Sequence, residues 1–160
     1  MSSCGCHGSA GSELTARSAP GNDGQRQVHG LKFMKKPILL LLPYKLGICR
    51  LNSSASIPVG LQDSGSFFSI TRTEDEISLV CREDLIPADC VAEKGFRALK
   101  VKGPLPFELT GILSSLLNPL ARDGISIFAI STYDTDYILV KEEALEQTII
   151  ALREAADVIS

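Results

Sequence analysis

The sequence has no tryptophan, and aromatic residues of all kinds make up only 6% of its 160 residues. Proteins that hold single-stranded nucleic acids stack the bases on aromatic side chains, so this scarcity argues against that class. The chain also has no basic excess, because 16 basic residues stand against 19 acidic ones and the formal net charge is −3. A nucleic-acid binder normally shows a basic stripe. We therefore expect no nucleic-acid partner.

Long apolar runs are missing as well. None approaches the roughly 20 residues that a membrane-spanning helix needs, so we expect no membrane partner. Residues 38–42 are apolar but end at Pro43. This run is shorter than the roughly 7–15 apolar residues of a signal peptide, and no small-residue cleavage site follows it. We interpret it as a buried strand and predict a cytoplasmic location.

Histidine is nearly absent, since the two histidines, His7 and His29, both lie close to the amino terminus. The rest of the chain therefore lacks Ser–His, Cys–His and histidine–metal arrangements. No glycine-rich phosphate loop of the GxxxxGK[ST] type occurs. The arginines that directly follow Cys49 and Cys81 would point to the opposite strand face, where they cannot stabilise a thiolate. We predict that the protein is not an enzyme and uses no cofactor.

The cysteines do not form a disulfide framework, because their number is odd and three of them lie in apolar runs. A reducing compartment fits this usage. We interpret Cys49 and Cys81 as buried free thiols that pack like small apolar residues. The alternative is a metal site made by Cys4, Cys6 and His7. It has no fourth ligand nearby, so we predict no metal site.

Residues 1–33 are rich in glycine and serine and show little apolar periodicity. Such a segment cannot bury enough surface to offset the entropy of ordering, so we predict a disordered amino-terminal extension. The character of the sequence changes abruptly at Met34, the only methionine besides Met1. We expect the natural chain to begin there.

Apolar patterning in the remainder predicts a mixture of strands and helices. Runs rich in β-forming residues predict strands over residues 38–42, 45–51, 67–72, 77–81, 96–101, 125–131 and 137–140. The clearest helix starts near Leu109, and Gly124 stops it. Its apolar residues recur at helical spacing, while Pro119 should kink or shorten its last turn. A final helix, carrying Leu145, Ile149, Leu152 and Ala156, should run to the end of the chain.

Two strand–turn–strand segments look like copies of each other. Residues 68–80 read FSITRTEDEISLV and residues 128–140 read FAISTYDTDYILV, and they align without a gap at a spacing of 60 residues, Phe68 with Phe128. Apolar matches between strands are common, but the acids and hydroxyls of the turns match too. We infer a duplication. Each unit then has the split βαβ, ferredoxin-like pattern, with the first unit compressed. The second unit lacks a last strand, which residues 38–42 could supply.

Residues 109–145 carry a family resemblance. They read LTGILSSLLNPLARDGISIFAISTYDTDYILVKEEAL, which closely resembles the ACT-domain family and its CASTOR-like branch. Residues 67–81 resemble the companion segment in the first unit of small bacterial two-unit proteins of that branch. The resemblance covers about residues 37–156. It implies an α+β fold of two tandem ACT-like units, 37–95 and 96–157, with antiparallel sheets and helices on one face.

The resemblance also implies where a ligand would bind. In such families the ligand lies where two ACT units meet, near the loop between the first strand and first helix and beside the strand that faces it. In this sequence the loop and helix start supply Gly103, Pro104, Leu105, Thr110, Gly111 and Ile112. The facing segment supplies Ile130, Ser131, Thr132, Asp134 and Asp136.

The chemistry of this set suits an amino acid. The free N–H groups at a helix start attract a carboxylate, and an ammonium or guanidinium group needs a carboxylate such as Asp134 or Asp136. Purely structural roles for these residues stay open here. The acidic residues of the turn can serve turn geometry and solvation, and Gly111 can allow close packing. Gly103 and the prolines can simply shape the loop.

ACT domains are regulatory modules that usually bind amino acids and pair side by side, and the CASTOR-like branch includes arginine sensors. The resemblance therefore implies a non-catalytic sensor. Its expected partners are a small ligand of the amino-acid class and a second copy or a regulated protein. The alternative function is a ligand-free oligomerisation or protein-interaction module. The two differ in whether the pocket is open and polar, or filled by Leu105 and Phe107.

Overall fold

The computed structural model describes residues 36–159. The disordered extension, the start at Met34 and the alternative metal site at Cys4, Cys6 and His7 all concern residues outside this range. Among the described residues, no helix is long and apolar enough to cross a membrane.

The described residues form a sheet with two α-helices, which confirms the predicted α+β class. The strands are β1 (Ile38–Leu41), β2 (Leu46–Asn52), β3 (Ser69–Arg72), β4 (Glu76–Arg82), β5 (Val91–Val101), β6 (Ile127–Ser131), β7 (Asp136–Lys141) and β8 (Asp157–Ile159). The helices are α1 (Ile112–Arg122) and α2 (Leu145–Leu152). Single 3₁₀ turns lie at Gln62–Ser64, Glu83–Leu85 and Glu142–Ala144.

The long strand β5 organises the sheet. Six strands are hydrogen-bonded in the order β3-β4-β2-β5-β7-β6, and every neighbouring pair is antiparallel. Strand β1 pairs antiparallel with the carboxyl-terminal end of β5, on the same edge of β5 as β2. Strand β8 pairs parallel with β1. The prediction that residues 38–42 complete the sheet of the second unit is therefore confirmed, with β5 between β1 and the second hairpin.

The two halves of the pattern join through β5. Its amino-terminal end pairs with β2 and its carboxyl-terminal end with β7 and β1. Because β5 runs through residue 95, the strand crosses the expected boundary between 37–95 and 96–157, and that division stays a prediction. The first half is compressed as expected, since residues 53–68 contain only one 3₁₀ turn where the second half has α1.

Three apolar clusters hold the sheet. The helix-side core joins α1 and α2 to β1, β5 and β7, with Leu99, Leu116 and Ile138 among its fully buried side chains. The opposite core lies on the other face of β5 and β7 and includes Val80, Tyr137 and Leu139. The cysteine cluster, built on β2 and β4, contains Cys49 and Cys81 together with Leu61 and Leu79.

Cys49 and Cys81 are buried free thiols, as predicted. Burial raises the pKa of the Cys49 thiol to about 12, with a further contribution from Cys90 beside it. Burial likewise raises the pKa of Cys81 to about 11. Both side chains are therefore protonated at neutral pH, and they pack as small apolar groups rather than as nucleophiles.

The repeat is real in architecture, but its predicted register is wrong by one residue. Arg72 pairs with Ile77 at the end of the first hairpin, and Ser131 pairs with Asp136 at the end of the second, so the hairpins match at a spacing of 59 residues. A one-residue slip turns every side chain to the other face. Accordingly, Phe68 packs against the cysteine cluster whereas Phe128 packs against the opposite core.

Two helix boundaries also differ from the prediction. Helix α1 starts at Ile112 rather than near Leu109, because Gly111 adopts a left-handed conformation with φ +85° that interrupts the helix there. Helix α2 stops at Leu152, and the chain continues into β8 instead of ending in a helix. The β-branched residues Val158 and Ile159 favour this last strand, which β1 binds as a neighbour.

Candidate functional site

Two segments meet at one end of the sheet. The first is the loop of residues 102–111 that follows β5, and the second is the turn of residues 132–135 that joins β6 to β7. The Leu105 amide donates a hydrogen bond of 2.8 Å to the Asp134 carbonyl oxygen. This bond brings together the two segments that were predicted to face each other.

Threonine side chains fix the turn. The Thr132 amide and hydroxyl both donate to the Thr135 carbonyl oxygen, at 2.8 and 2.9 Å. The buried Thr135 hydroxyl donates to the Val101 carbonyl oxygen at the end of β5. The turn is therefore tied to the strand that precedes the loop, and its position does not depend on the loop alone.

Gly103 allows the loop to approach the turn. A Cβ atom at this position would lie 2.6 Å from the Asp134 carbonyl oxygen and 3.3 Å from the Thr135 Cβ. Real Cβ atoms do not come so close to a carbonyl oxygen, so the turn would have to move. The peptide between Gly103 and Pro104 is cis. Gly103 thus has a specific steric role, whatever the ligand.

Gly103→Ala is expected to destabilise the protein by about 1–3 kcal/mol, because the added methyl group overpacks a backbone contact. Urea unfolding measures this loss. The Leu105 amide should also exchange its hydrogen faster, since its bond to Asp134 is strained. Gly124→Ala is the control for the steric effect, because a Cβ there meets nothing within 4 Å and its cost is limited to the backbone strain of φ +69°. In this control the Leu105 amide should exchange as in the parent. Unchanged exchange at Leu105 in Gly103→Ala would contradict this role.

The start of α1 faces the same space. The Ser115 amide makes the first bond of the helix, to the Gly111 carbonyl oxygen at 2.9 Å. The amides of the preceding helical residues, including Ile112 and Leu113, have no partner within a helix that starts here. With the helix dipole, such groups favour a carboxylate.

Between the loop, the turn and the helix start lies an open cleft of about 270 Å³. Seven of the predicted site residues line it: Leu105, Gly111, Ile112, Ser131, Thr132, Asp134 and Asp136. Four do not. Gly103 lies behind the turn, Pro104 and Thr110 are exposed beside the cleft, and Ile130 turns toward the opposite core.

The acidic side of the cleft is formed by Asp134 and Asp136. The Ser131 hydroxyl donates to the Asp136 carboxylate, which is half-buried at the start of β7. The Asp134 carboxylate is exposed. Within residues 36–159, neither carboxylate forms an ion pair. The lining of the cleft thus combines the start of a helix, which favours a carboxylate, with two carboxylates, which favour a cationic group.

Six further residues line the cleft that were not among the predicted ligand-binding residues: Pro106, Phe107, Leu109, Leu113, Tyr133 and Thr135. The rings of Phe107 and Tyr133 meet edge to face at 4.9 Å between centroids. They are 71% and 79% exposed. Their positions in the predicted loop and turn indicated that they lie near the cleft. Their contact with each other depends on the path of the loop, which the sequence pattern does not determine.

In the first half of the sheet, a long charged side chain stands at the position of Ser131. Arg72 occupies the position that corresponds to Ser131, and its guanidinium donates to the carbonyl oxygens of Ser53 and Ala55 in the loop after β2. In the second half, the short Ser131 side chain instead points to Asp136. The two hairpins have therefore diverged, and the cleft beside Ser131 is open.

Comparison with known proteins agrees with this geometry. A family model described as ACT domain matches residues 91–154, which include the loop, α1, both strands of the second hairpin and α2. A second model, described as an N-terminal domain, matches residues 44–89. This chain belongs to the ACT-domain family. The predicted ferredoxin-like, ACT-type fold is thereby confirmed.

Two solved structures share this fold. A crystal structure of a protein from Agrobacterium tumefaciens is 41% identical with a TM-score of 0.72, and the match covers 78% of this ACT-domain chain and 93% of that one. The crystal structure of the aspartate kinase of Clostridium acetobutylicum is 13% identical with a TM-score of 0.52, and the match covers 71% of this chain and 33% of the kinase. At this identity the likeness shows the fold alone.

Among curated proteins, the cattle (Bos taurus) cytosolic arginine sensor for mTORC1 subunit 1 is 34% identical over 103 residues, which are 58% of this chain. The match places the chain in the CASTOR-like branch of the ACT-domain family. This chain spans only 31% of the length of that sensor.

Proposed function

We propose that this ACT-domain protein is a non-catalytic regulatory module that binds an amino acid in the cleft between the loop after β5 and the turn after β6. The α-carboxylate would lie against the free amides at the start of α1. The ammonium group would lie against Asp136, with Asp134 available to a cationic or polar side chain.

The observation that carries this proposal is the open, two-sided cleft. Its volume of about 270 Å³ suits a molecule of amino-acid size, and its lining includes the first residues of α1 together with Asp134 and Asp136. Neither carboxylate forms an ion pair within residues 36–159. Phe107 is 71% exposed and Leu105 packs against the helix-side core, so neither side chain fills the space. A filled pocket is what a ligand-free oligomerisation module would need.

The family membership supports the regulatory part of the proposal. The cattle relative is named as a cytosolic arginine sensor, and for this chain we propose a cytoplasmic location and an amino-acid ligand without naming which one. Exposed Phe107, Leu109 and Tyr133 flank the cleft. An apolar rim of this kind suits contact with a second copy or with the regulated protein.

The proposal predicts selective thermal stabilisation. The full chain should be melted in the presence of each of the twenty amino acids in turn at millimolar concentration. A ligand at about 100 times its dissociation constant adds about 2.7 kcal/mol of stability, which corresponds to a rise in Tm of about 5–10 °C. A selective rise with one amino acid, or with a chemically related few, is the expected result. If none of the twenty amino acids raises the Tm, the proposal is wrong and the ligand-free interaction module is favoured.

A further inference from the structure

A second cavity adjoins the candidate site at Ser131 and lies between the two end strands of the six-stranded part of the sheet. Among the strands of residues 36–159, β3 and β6 each have a single hydrogen-bonded neighbour, β4 and β7 respectively. Both nevertheless line one cavity of about 400 Å³. The sheet therefore curls around the opposite core until its two ends face a common cleft.

The free edges of both strands are turned toward this cleft. In the second hairpin, the bond from the Thr132 amide to the Thr135 carbonyl oxygen makes these two residues a hydrogen-bonded pair. Hydrogen-bonded and non-hydrogen-bonded pairs alternate along an antiparallel ladder, so Ser131 and Ala129 belong to non-hydrogen-bonded pairs. Their backbone N–H and C=O groups therefore point away from β7. The equivalent bond from Thr73 to Glu76 directs the backbone groups of Ile70 away from β4.

The side chains around the cleft are uncharged. Hydroxyl groups come from Ser69 and Thr71 on β3 and from Ser78 on β4. The apolar part is formed by Val80, Phe128 and Ile130, which belong to the opposite core or pack against it. A sheet edge binds an added strand through free backbone donors and acceptors that lie next to an apolar surface. The cleft has both features.

We propose that the cleft between β3 and β6 is a binding site for an extended, uncharged peptide segment, which it holds by backbone hydrogen bonds. β3 has four residues and β6 has five. At ~3.3 Å per residue, the cleft accommodates about four residues of an extended chain. This site goes beyond the proposed amino-acid cleft.

The geometry selects a flexible segment over a folded second copy. The edge strand of a folded copy is hydrogen-bonded to its own sheet along one side, so it could pair with only one wall of the cleft. An isolated segment has both edges free and can bind both walls. Because β3 and β6 run in opposite directions, the segment pairs antiparallel with one and parallel with the other, and both ladders are viable.

The test uses the ¹⁵N-labelled full chain and the blocked peptide acetyl-Thr-Val-Thr-Val-Thr-amide, which is uncharged and β-forming. Amide signals of Ile70, Ala129 and Ser131 should shift in a saturable way, and their hydrogen exchange should slow. The same peptide with N-methylated amides loses its donors and should not bind. Absence of saturable shifts at millimolar peptide, or equal binding of the N-methylated peptide, would overturn the proposal.

Variants of Ala129 test the β6 wall. Ala129→Pro removes an outward-pointing donor and leaves the β6–β7 ladder complete, as proline is tolerated on an edge strand. Binding of the peptide should weaken about fivefold or more with the loss of one hydrogen bond. Ala129→Val keeps the donor and should bind as the parent does. Equal binding by Ala129→Pro would contradict the site. Protection of these amides that rises with protein concentration, without peptide, would instead identify a second copy.

Discussion

Asp136→Asn is expected to weaken binding of the stabilising amino acid by about 10- to 100-fold, the range for loss of a hydrogen bond to a charged group. Asparagine has nearly the same shape as aspartate and still accepts the hydrogen bond from Ser131. The substitution therefore removes the negative charge and keeps the local structure. Isothermal titration of parent and variant with the amino acid selected by the thermal panel measures the change.

Asp157→Asn is the matched control for this experiment. Asp157 is an exposed carboxylate on β8 and lies outside the cleft. The same change of charge there should leave the affinity as it is. Equal affinities for Asp136→Asn and the parent would show that the ligand's cationic group is not held by this carboxylate. The orientation assigned to the amino acid would then be wrong.

Leu116→Ala is expected to cost about 2–5 kcal/mol of unfolding free energy, the range for truncating a buried leucine. Leu116 is fully buried on α1 and packs in the helix-side core with Leu99 and Ile138. The vacated space cannot close easily, because the helix is held against the strands on both sides of this position. Chemical unfolding of the variant measures the loss.

Leu109→Ala provides the comparison, because the sequence pattern places both leucines on the same helical stripe. In the structure Leu109 precedes the helix and is 42% exposed. Its truncation should cost less than about 1 kcal/mol, as is usual for partly exposed positions. Similar costs for the two variants would mean that α1 extends back to Leu109, as the sequence alone suggested.

The contrast between these leucines shows where the sequence pattern reached its limit. Leu113, Leu116 and Leu120 do lie on α1 against the core. The same spacing continued back to Leu109, and nothing in the periodicity marked the break. The break comes from the left-handed conformation of Gly111, which is a property of the loop and its contacts. Apolar periodicity identified the helix but not its first residue.

The repeat illustrates a second limit. Matching residue types placed Phe68 on Phe128, whereas the ladders place Arg72 on Ser131. Apolar residues occur on both faces of these strands, because each face covers a different core. The alternation that normally fixes strand register was therefore too weak to decide between spacings of 59 and 60.

The candidate site was predictable mainly through the family resemblance. The two segments that the resemblance implied do lie together, since the Leu105 amide donates a hydrogen bond to the Asp134 carbonyl oxygen. That a ligand binds between them stays a prediction. The buried hydroxyl of Thr135 was missed, as threonine in a turn has no pattern that distinguishes a structural tie from a solvated side chain. The aromatic pair of Phe107 and Tyr133 was missed because it depends on how the loop folds back.

The most direct test of the amino-acid site is an amide chemical-shift titration of the ¹⁵N-labelled full chain with the amino acid that raises the Tm most. The account predicts that the largest shifts fall at the start of α1 and in the turn, at Ile112, Leu113, Thr132 and Tyr133. It also predicts that Asp136→Asn moves the midpoint of the titration to higher ligand concentration. Saturable shifts confined to another part of the sheet, or none with any of the twenty amino acids, would contradict it.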